Sequence, residues 1–175
     1  MPHLVLMGLR GSGKSTLGAL VASRLGVVFV DLDDRTRALL GAASVAQAWR
    51  ERGEPAFREA ETRALERALG EPACVIALGG GTPTAPGAAA LLRGAAAVVV
   101  YLRADAPTLR ARLAPTVASD PDRPTLTGTD ALTEIDAVLR DRDGAYRGLA
   151  DHVLEVGGLP PDRAVERLAE LARSA

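Results

Sequence analysis

Between residues 8 and 15 the chain reads Gly8-Leu9-Arg10-Gly11-Ser12-Gly13-Lys14-Ser15, after the apolar run His3–Met7 and before Thr16-Leu17-Gly18-Ala19-Leu20-Val21. This matches G-x4-G-K-[ST] without a gap. It lies between a strand pattern and a helix pattern, the context that marks a phosphate-binding P-loop. Glycines let backbone N–H groups turn inward around a polyphosphate, and the positive end of the following helix adds to the attraction. Lys14 supplies a compact charge that reaches the β- and γ-phosphates, and Ser15 a hydroxyl for Mg²⁺. Composition sharpens the reading. Lys14 is the only lysine, every other Lys/Arg position is arginine, and asparagine is absent. In so strong an arginine bias, the position kept as lysine is one that a planar fork does not serve.

Outward from this loop, four more β-branched runs, Val27–Asp31, Cys74–Leu78, Ala96–Leu102 and His152–Val156, join His3–Met7. They alternate too little for a half-exposed sheet and read as buried parallel strands. Helix formers separate them: Lys14–Leu25, Pro55–Leu69, Thr108–Leu113, Asp130–Leu149 and Pro161–Arg173. In the last, Pro161 suits a first-turn position, and Val165, Leu168 and Leu171 share a stripe. The alternation predicts an α/β domain with a mainly parallel sheet. At 175 residues this is one domain. Ala114–Gly128, with three prolines, reads as a long functional loop.

The overall balance excludes several classes. A formal charge of -1 and 3% aromatic content argue against a nucleic-acid or membrane-surface binder. The single cysteine, Cys74, rules out an internal disulfide, and in an apolar run it reads as a core residue. The longest apolar run, Gly94–Leu102, is bracketed by Arg93 and Arg103 and is far short of the ~20 residues of a bilayer span. The expectation is a cytoplasmic protein without a signal peptide, acting as a monomer on small molecules.

Other residues carry chemistry. In Val30-Asp31-Leu32-Asp33-Asp34, a strand period of two puts Asp31 and Asp33 on one side, at a strand end where open α/β sheets bind ligands. Asp31 suits a magnesium ion, directly or through water; Asp33 suits a proton or hydrogen bond from an attacking hydroxyl. The competing reading is that Asp33 or Asp34 caps a helix. Gly53-Glu54-Pro55-Ala56-Phe57-Arg58 and the triplet Gly79-Gly80-Gly81 follow. A triplet directly after a buried strand points to a sharp turn or a close ligand. Arg58 taken alone is a solvated helix charge. His3 and His152, at strand starts without partner motifs, read as structural.

Taken in order, the P-loop, Asp31-x-Asp33, Phe57-Arg58, Gly79–Gly81, Arg123-Pro124 and Arg142-x3-Tyr146-Arg147-x2-Ala150 resemble the shikimate kinase family over nearly the whole chain. The resemblance implies a fold of the nucleoside-monophosphate-kinase type. It has five parallel strands in order 2-3-1-4-5, a substrate flap near residues 33–62 and a lid near 114–128. It implies transfer of the γ-phosphoryl of ATP to the 3-hydroxyl of shikimate, with Mg²⁺. Carried across, Gly11, Ser12, Gly13, Lys14, Ser15 and Thr16 wrap the phosphates, and Ser15 and Asp31 hold the metal. Asp33 binds substrate hydroxyls and serves as base. Arg58 and Arg147 clamp the carboxylate beside the Gly80 backbone, as two planar forks suit that ligand. Arg123 closes the lid on ATP, and Arg112 and Pro161 flank the adenine. Glu54, Arg142 and Tyr146 take structural roles, and Trp49 forms either a wall of the substrate site or part of the core. This chain departs from the family at Arg123-Pro124-Thr125-Leu126, where Arg-Pro-Leu-Leu is frequent, and at Leu159, where an arginine can stand.

Two other functions compete: a kinase for another hydroxy-acid such as gluconate, and a catalytically silent regulator that binds shikimate or ATP. The paired arginines and the glycine triplet favour shikimate over gluconate. No catalytic position is visibly lost, which weighs against the regulator.

Overall fold

The structure is a computed structural model and describes residues 1–119 and 132–174. The elements run β1 (His3–Met7), α1 (Lys14–Leu25), β2 (Phe29–Asp31), α2 (Leu32–Leu40), α3 (Val45–Leu69), β3 (Val75–Ala77), α4 (Ala88–Gly94), β4 (Ala97–Arg103), α5 (Ala106–Ser119), α6 (Ile135–Leu149), β5 (His152–Glu155) and α7 (Pro161–Arg173). The five strands form one sheet in the order β2-β3-β1-β4-β5, every pairing parallel. This is the order that the family resemblance implies. β1, β3 and most of β4 are buried on both faces, so their sequences are unbroken apolar runs. Helices supply the covering layers through stripes such as Leu17 with Val21 on α1 and Val165 with Leu168 on α7. No helix among the described residues is long and apolar enough to cross a membrane.

Three expectations are corrected. The strand containing Asp31 stops there: α2 begins at Leu32, with Asp31 as its N-cap accepting from the Asp33 amide at 3.1 Å. Asp33 therefore stands in the first turn of a helix, and period two does not relate it to Asp31. The stretch from Ala114 is not loop at its start, because α5 runs through Pro115 to Ser119. One proline removes a single helical hydrogen bond, and the apolar face of α5 (Leu109, Leu113) is already buried. The helix expected over Asp130–Leu149 starts at Ile135.

α3 is longer than Pro55–Leu69 and is kinked. Gly53 has φ 77° and ψ 165°, which breaks the helix and leaves Val45–Arg52 angled against the remainder. At the far end of the sheet His3 is structural, as expected. Its Nδ1 accepts from the Cys74 amide at 3.3 Å, and Nε2 lies 3.2 Å from the Leu69 carbonyl. Burial pushes the Cys74 thiol up, so it stays protonated and inert.

Candidate active site

The parallel strands end on one side of the sheet, and the loops that leave them build a cleft of about 460 Å³. The turn after β1 carries its floor. Gly13 holds the left-handed conformation (φ 91°) that lets the chain enter α1 straight from the loop. Gly11, Gly13, Lys14, Ser15 and Thr16 all line this cleft, with Asp31 and Asp33 from the end of β2 and the start of α2. Lys14 Nζ donates to the carbonyls of Gly8 (2.9 Å) and Leu9 (3.1 Å), which hold the ammonium within the loop. Ser15 Oγ donates to Asp31 Oδ2 at 2.6 Å. The Ser12 side chain is buried and does not line the cleft, and its amide donates to the Leu9 carbonyl at 3.2 Å.

Arg112 closes the opposite end. Its guanidinium donates to Val156 O (2.7 Å), Gly157 O (3.4 Å) and Gly11 O (3.5 Å), joining the P-loop to the connection after β5. Pro161, the first residue of α7, lies a few residues beyond that connection and does not line the cleft. Arg123 lies outside the described residues.

The glycine triplet follows β3, and none of its three residues has a positive φ. Space, not conformation, excludes side chains here. A Cβ at Gly79 would come within 2.5 Å of Asp33 Oδ1 and 2.7 Å of Glu61 Oε1. One at Gly81 would meet Arg58 Nη1 at 1.9 Å. The triplet thus lets the chain's own carboxylates and guanidinium lie flat against backbone. At Gly80 a Cβ meets nothing closer than 3.9 Å, so its bareness leaves room on the cleft side.

Arg58 is fixed on three sides. Nη1 donates to Glu61 Oε2 at 2.6 Å, Nε and Nη2 reach Glu54 Oε1 at 3.4 Å, and Cζ lies 5.0 Å from the Trp49 ring centroid. Trp49 in turn packs on Phe57. Glu61 is almost fully buried and also accepts from Thr82 at 2.8 Å. Burial pushes its carboxyl up, while the Arg58 charge and the bonds from Arg58 and Thr82 pull the other way. We therefore expect Gly81→Ala to displace Arg58, because neither Glu61 nor Trp49 lets the guanidinium give way in place. Loss of the cation from the indole face would change the emission of the only tryptophan in a protein whose circular dichroism is unaltered; unchanged emission would contradict this packing.

The arginine of α6 that reaches the triplet is Arg142. Arg142 donates to the Gly80 carbonyl at 2.7 Å, beside a short bond from the Tyr146 hydroxyl to the same oxygen. Arg142 also shares with Arg58 an adjoining cleft of about 630 Å³. Arg147 is absent from both clefts and donates from Nε to Asp143 Oδ2 at 2.8 Å. The reason is helical geometry: residues four apart share a face, and five apart do not. Arg142 and Tyr146 therefore converge on Gly80, while Arg147 turns with Asp143 toward β4. Glu61 was missed altogether. An i,i+3 partner of Arg58 is an ordinary surface pattern, and only burial gives it significance.

Comparison with known proteins identifies the family. The family model described as Shikimate kinase matches residues 10–173. The shikimate kinase of Caulobacter vibrioides (strain NA1000 / CB15N) is 37% identical, over 98% of this chain and 82% of its own. That of Oleidesulfovibrio alaskensis is 40% identical, over 89% and 88% respectively. Among solved structures, shikimate kinase from Acinetobacter baumannii in complex with shikimate superposes with TM-score 0.87 at 28% identity, covering 99% of this chain and 94% of its own. From P-loop to last helix, the chain belongs to the shikimate kinase family.

Proposed function

We propose that the chain transfers the γ-phosphoryl group of ATP to the 3-hydroxyl of shikimate. The observation that carries this reading is the junction at the glycine triplet. There the P-loop cleft meets two arginines, Arg58 and Arg142, held by Glu61 and the Gly80 carbonyl. A polyphosphate cradle beside a pair of cations suits an anionic acceptor whose hydroxyl must reach the γ-phosphorus.

In this reading Gly11, Gly13 and the start of α1 hold the phosphates through backbone N–H groups, and Lys14 places its charge on the β- and γ-oxygens. Ser15 Oγ and Asp31 Oδ2 converge at the cleft, and no group of three His, Cys, Asp or Glu side chains is found among the described residues. Such a sparse, hard-oxygen pair fits Mg²⁺, which binds through one or two protein oxygens plus phosphate and water. When bound, the ion neutralises charge on the phosphate oxygens. Asp33, against Gly79 and facing the cleft, accepts the proton of the attacking hydroxyl as that oxygen bonds to phosphorus and ADP departs. Arg58 and Arg142 orient the ring by its carboxylate. Residues 33–62, bent at Gly53, form the flap that carries Asp33 and Arg58. In this reading the enzyme is a cytoplasmic monomer acting on small molecules, and its formal charge of -1 offers no basic surface for nucleic acid.

The test is ATP consumption with Mg²⁺ over a panel of hydroxy-acids. Shikimate alone should support turnover, and a chelator should abolish it. Turnover with gluconate and none with shikimate would replace the reading with that of another hydroxy-acid kinase; binding of shikimate without turnover would favour the silent regulator.

Trp49 offers a direct reporter. Arg58 lies over its ring, so a carboxylate that draws the guanidinium should change the indole's surroundings. We expect a saturable fluorescence change with shikimate, none with gluconate, and a shift to higher concentration in Arg58→Ala. A saturable response to gluconate with none to shikimate would contradict the substrate assignment.

A further inference from the structure

The second face of α6 has a role of its own. Asp143, half-buried, accepts from the Tyr101 hydroxyl (3.0 Å), Arg103 Nε (3.0 Å) and Arg147 Nε (2.8 Å). Two of these donors are on β4, in the sheet. Arg103 is itself held by Glu155 of β5 through Nη1, at 3.0 and 3.3 Å. Tyr101 touches α6 a second time, its ring edge-on to Tyr146 with centroids 5.1 Å apart. One strand side chain therefore grips the helix at two positions three residues apart, by a charge-assisted hydrogen bond at Asp143 and an aromatic edge at Tyr146.

Arg142 leaves the helix on the same face as Tyr146, and Asp143 lies about 100° round the axis, on the face turned to β4. A roll of α6 about its axis would carry a long arginine away from Gly80 by much more than it moved the helix backbone. The bonds that Asp143 accepts from Tyr101 and Arg103 of β4 oppose that roll. They persist to acid pH, because burial, which alone would raise the carboxyl, is outweighed by the bonds from Arg147, Arg103 and Tyr101, which hold it below the usual range.

We propose that Asp143, gripped by Tyr101 and Arg103, is a positioning residue that fixes the roll of α6 and so holds Arg142 at the acid-binding end of the site. This rests on the reading of Arg142 as a carboxylate contact.

The test is a double-mutant cycle between Asp143→Ala and Arg142→Ala, with KM for shikimate, KM for ATP and kcat measured for each variant. Asp143→Ala should raise the shikimate KM roughly tenfold, with the ATP KM and kcat within about twofold. In the Arg142→Ala background the same substitution should add less than about twofold, since the group it positions is gone. Tyr101→Phe, which removes one bond and keeps the ring, should shift the shikimate KM in the same direction by less. If Asp143→Ala folds poorly by circular dichroism, Asp143→Asn and Tyr101→Phe carry the cycle instead. Effects that multiply in the two backgrounds, or a loss shared equally by both substrates, would overturn the positioning role. If Arg142→Ala itself leaves the shikimate KM unchanged, the carboxylate reading fails and the positioning role falls with it. If only the Asp143 variants are silent, the positioning role fails alone.

Discussion

Lys14→Met should lose nearly all phosphoryl transfer while remaining folded. The ammonium is held by the carbonyls of Gly8 and Leu9, at the floor of a cleft lined by the P-loop glycines. From there it acts on charge that grows on the β- and γ-oxygens as the bond to the leaving group breaks. A preorganised electrostatic contact of this kind contributes about 3–4 kcal/mol to the transition state, so kcat should fall by roughly 10²- to 10³-fold. Lys14→Arg should also be poor. Lys14 Nζ sits as a compact charge against the Gly8 and Leu9 carbonyls, contacts that the wider planar fork of arginine does not reproduce. A folded Lys14→Met enzyme with unaltered turnover, measured by ADP release, would remove the P-loop from the mechanism.

The second large effect is a split between two arginines five residues apart. Arg142→Ala should raise the KM for shikimate by roughly 30- to 160-fold, the cost of about 2–3 kcal/mol for losing a charge-assisted contact. Arg147→Ala should change it by no more than about threefold, since it removes a partly exposed ion pair with Asp143. Neither should alter the KM for ATP appreciably. Arg58→Ala is a less clean probe, because it strands Glu61, whose side chain is only 2% exposed, without its cation. Pairing it with Glu61→Gln removes that complication. A strong effect of Arg147→Ala with none from Arg142→Ala would reverse the placement of the clamp.

These residues show how far a sequence can be read. The P-loop was legible because its spacing, its flanking strand and helix and the lone lysine all point to one structure. The parallel sheet was legible because strands buried on both faces must be unbroken apolar runs. α2 and α4 were not. α2 opens with three acidic residues within four positions, Asp31, Asp33 and Asp34, which look like a strand end. α4 is seven residues dominated by alanine and shows no amphipathic stripe. In the site, the shared helix face of Arg142 and Tyr146 was visible from their spacing. That face brings Arg142 and Tyr146 together at Gly80, while Arg147, one position on, turns to Asp143. The triplet was rightly singled out, but for an incomplete reason: Asp33, Glu61 and Arg58, brought in from distant elements, are what press against Gly79 and Gly81.

The most direct test of the central claim is the identity of the product. The purified chain, incubated with ATP, Mg²⁺ and shikimate, should yield one phosphorylated species. Proton–phosphorus correlation NMR should place the phosphate on the 3-oxygen, with ADP formed in equal amount. Phosphate on another hydroxyl, or ATP hydrolysed with shikimate recovered unchanged, would contradict the arrangement of Asp33, Arg58 and Arg142 around the acceptor.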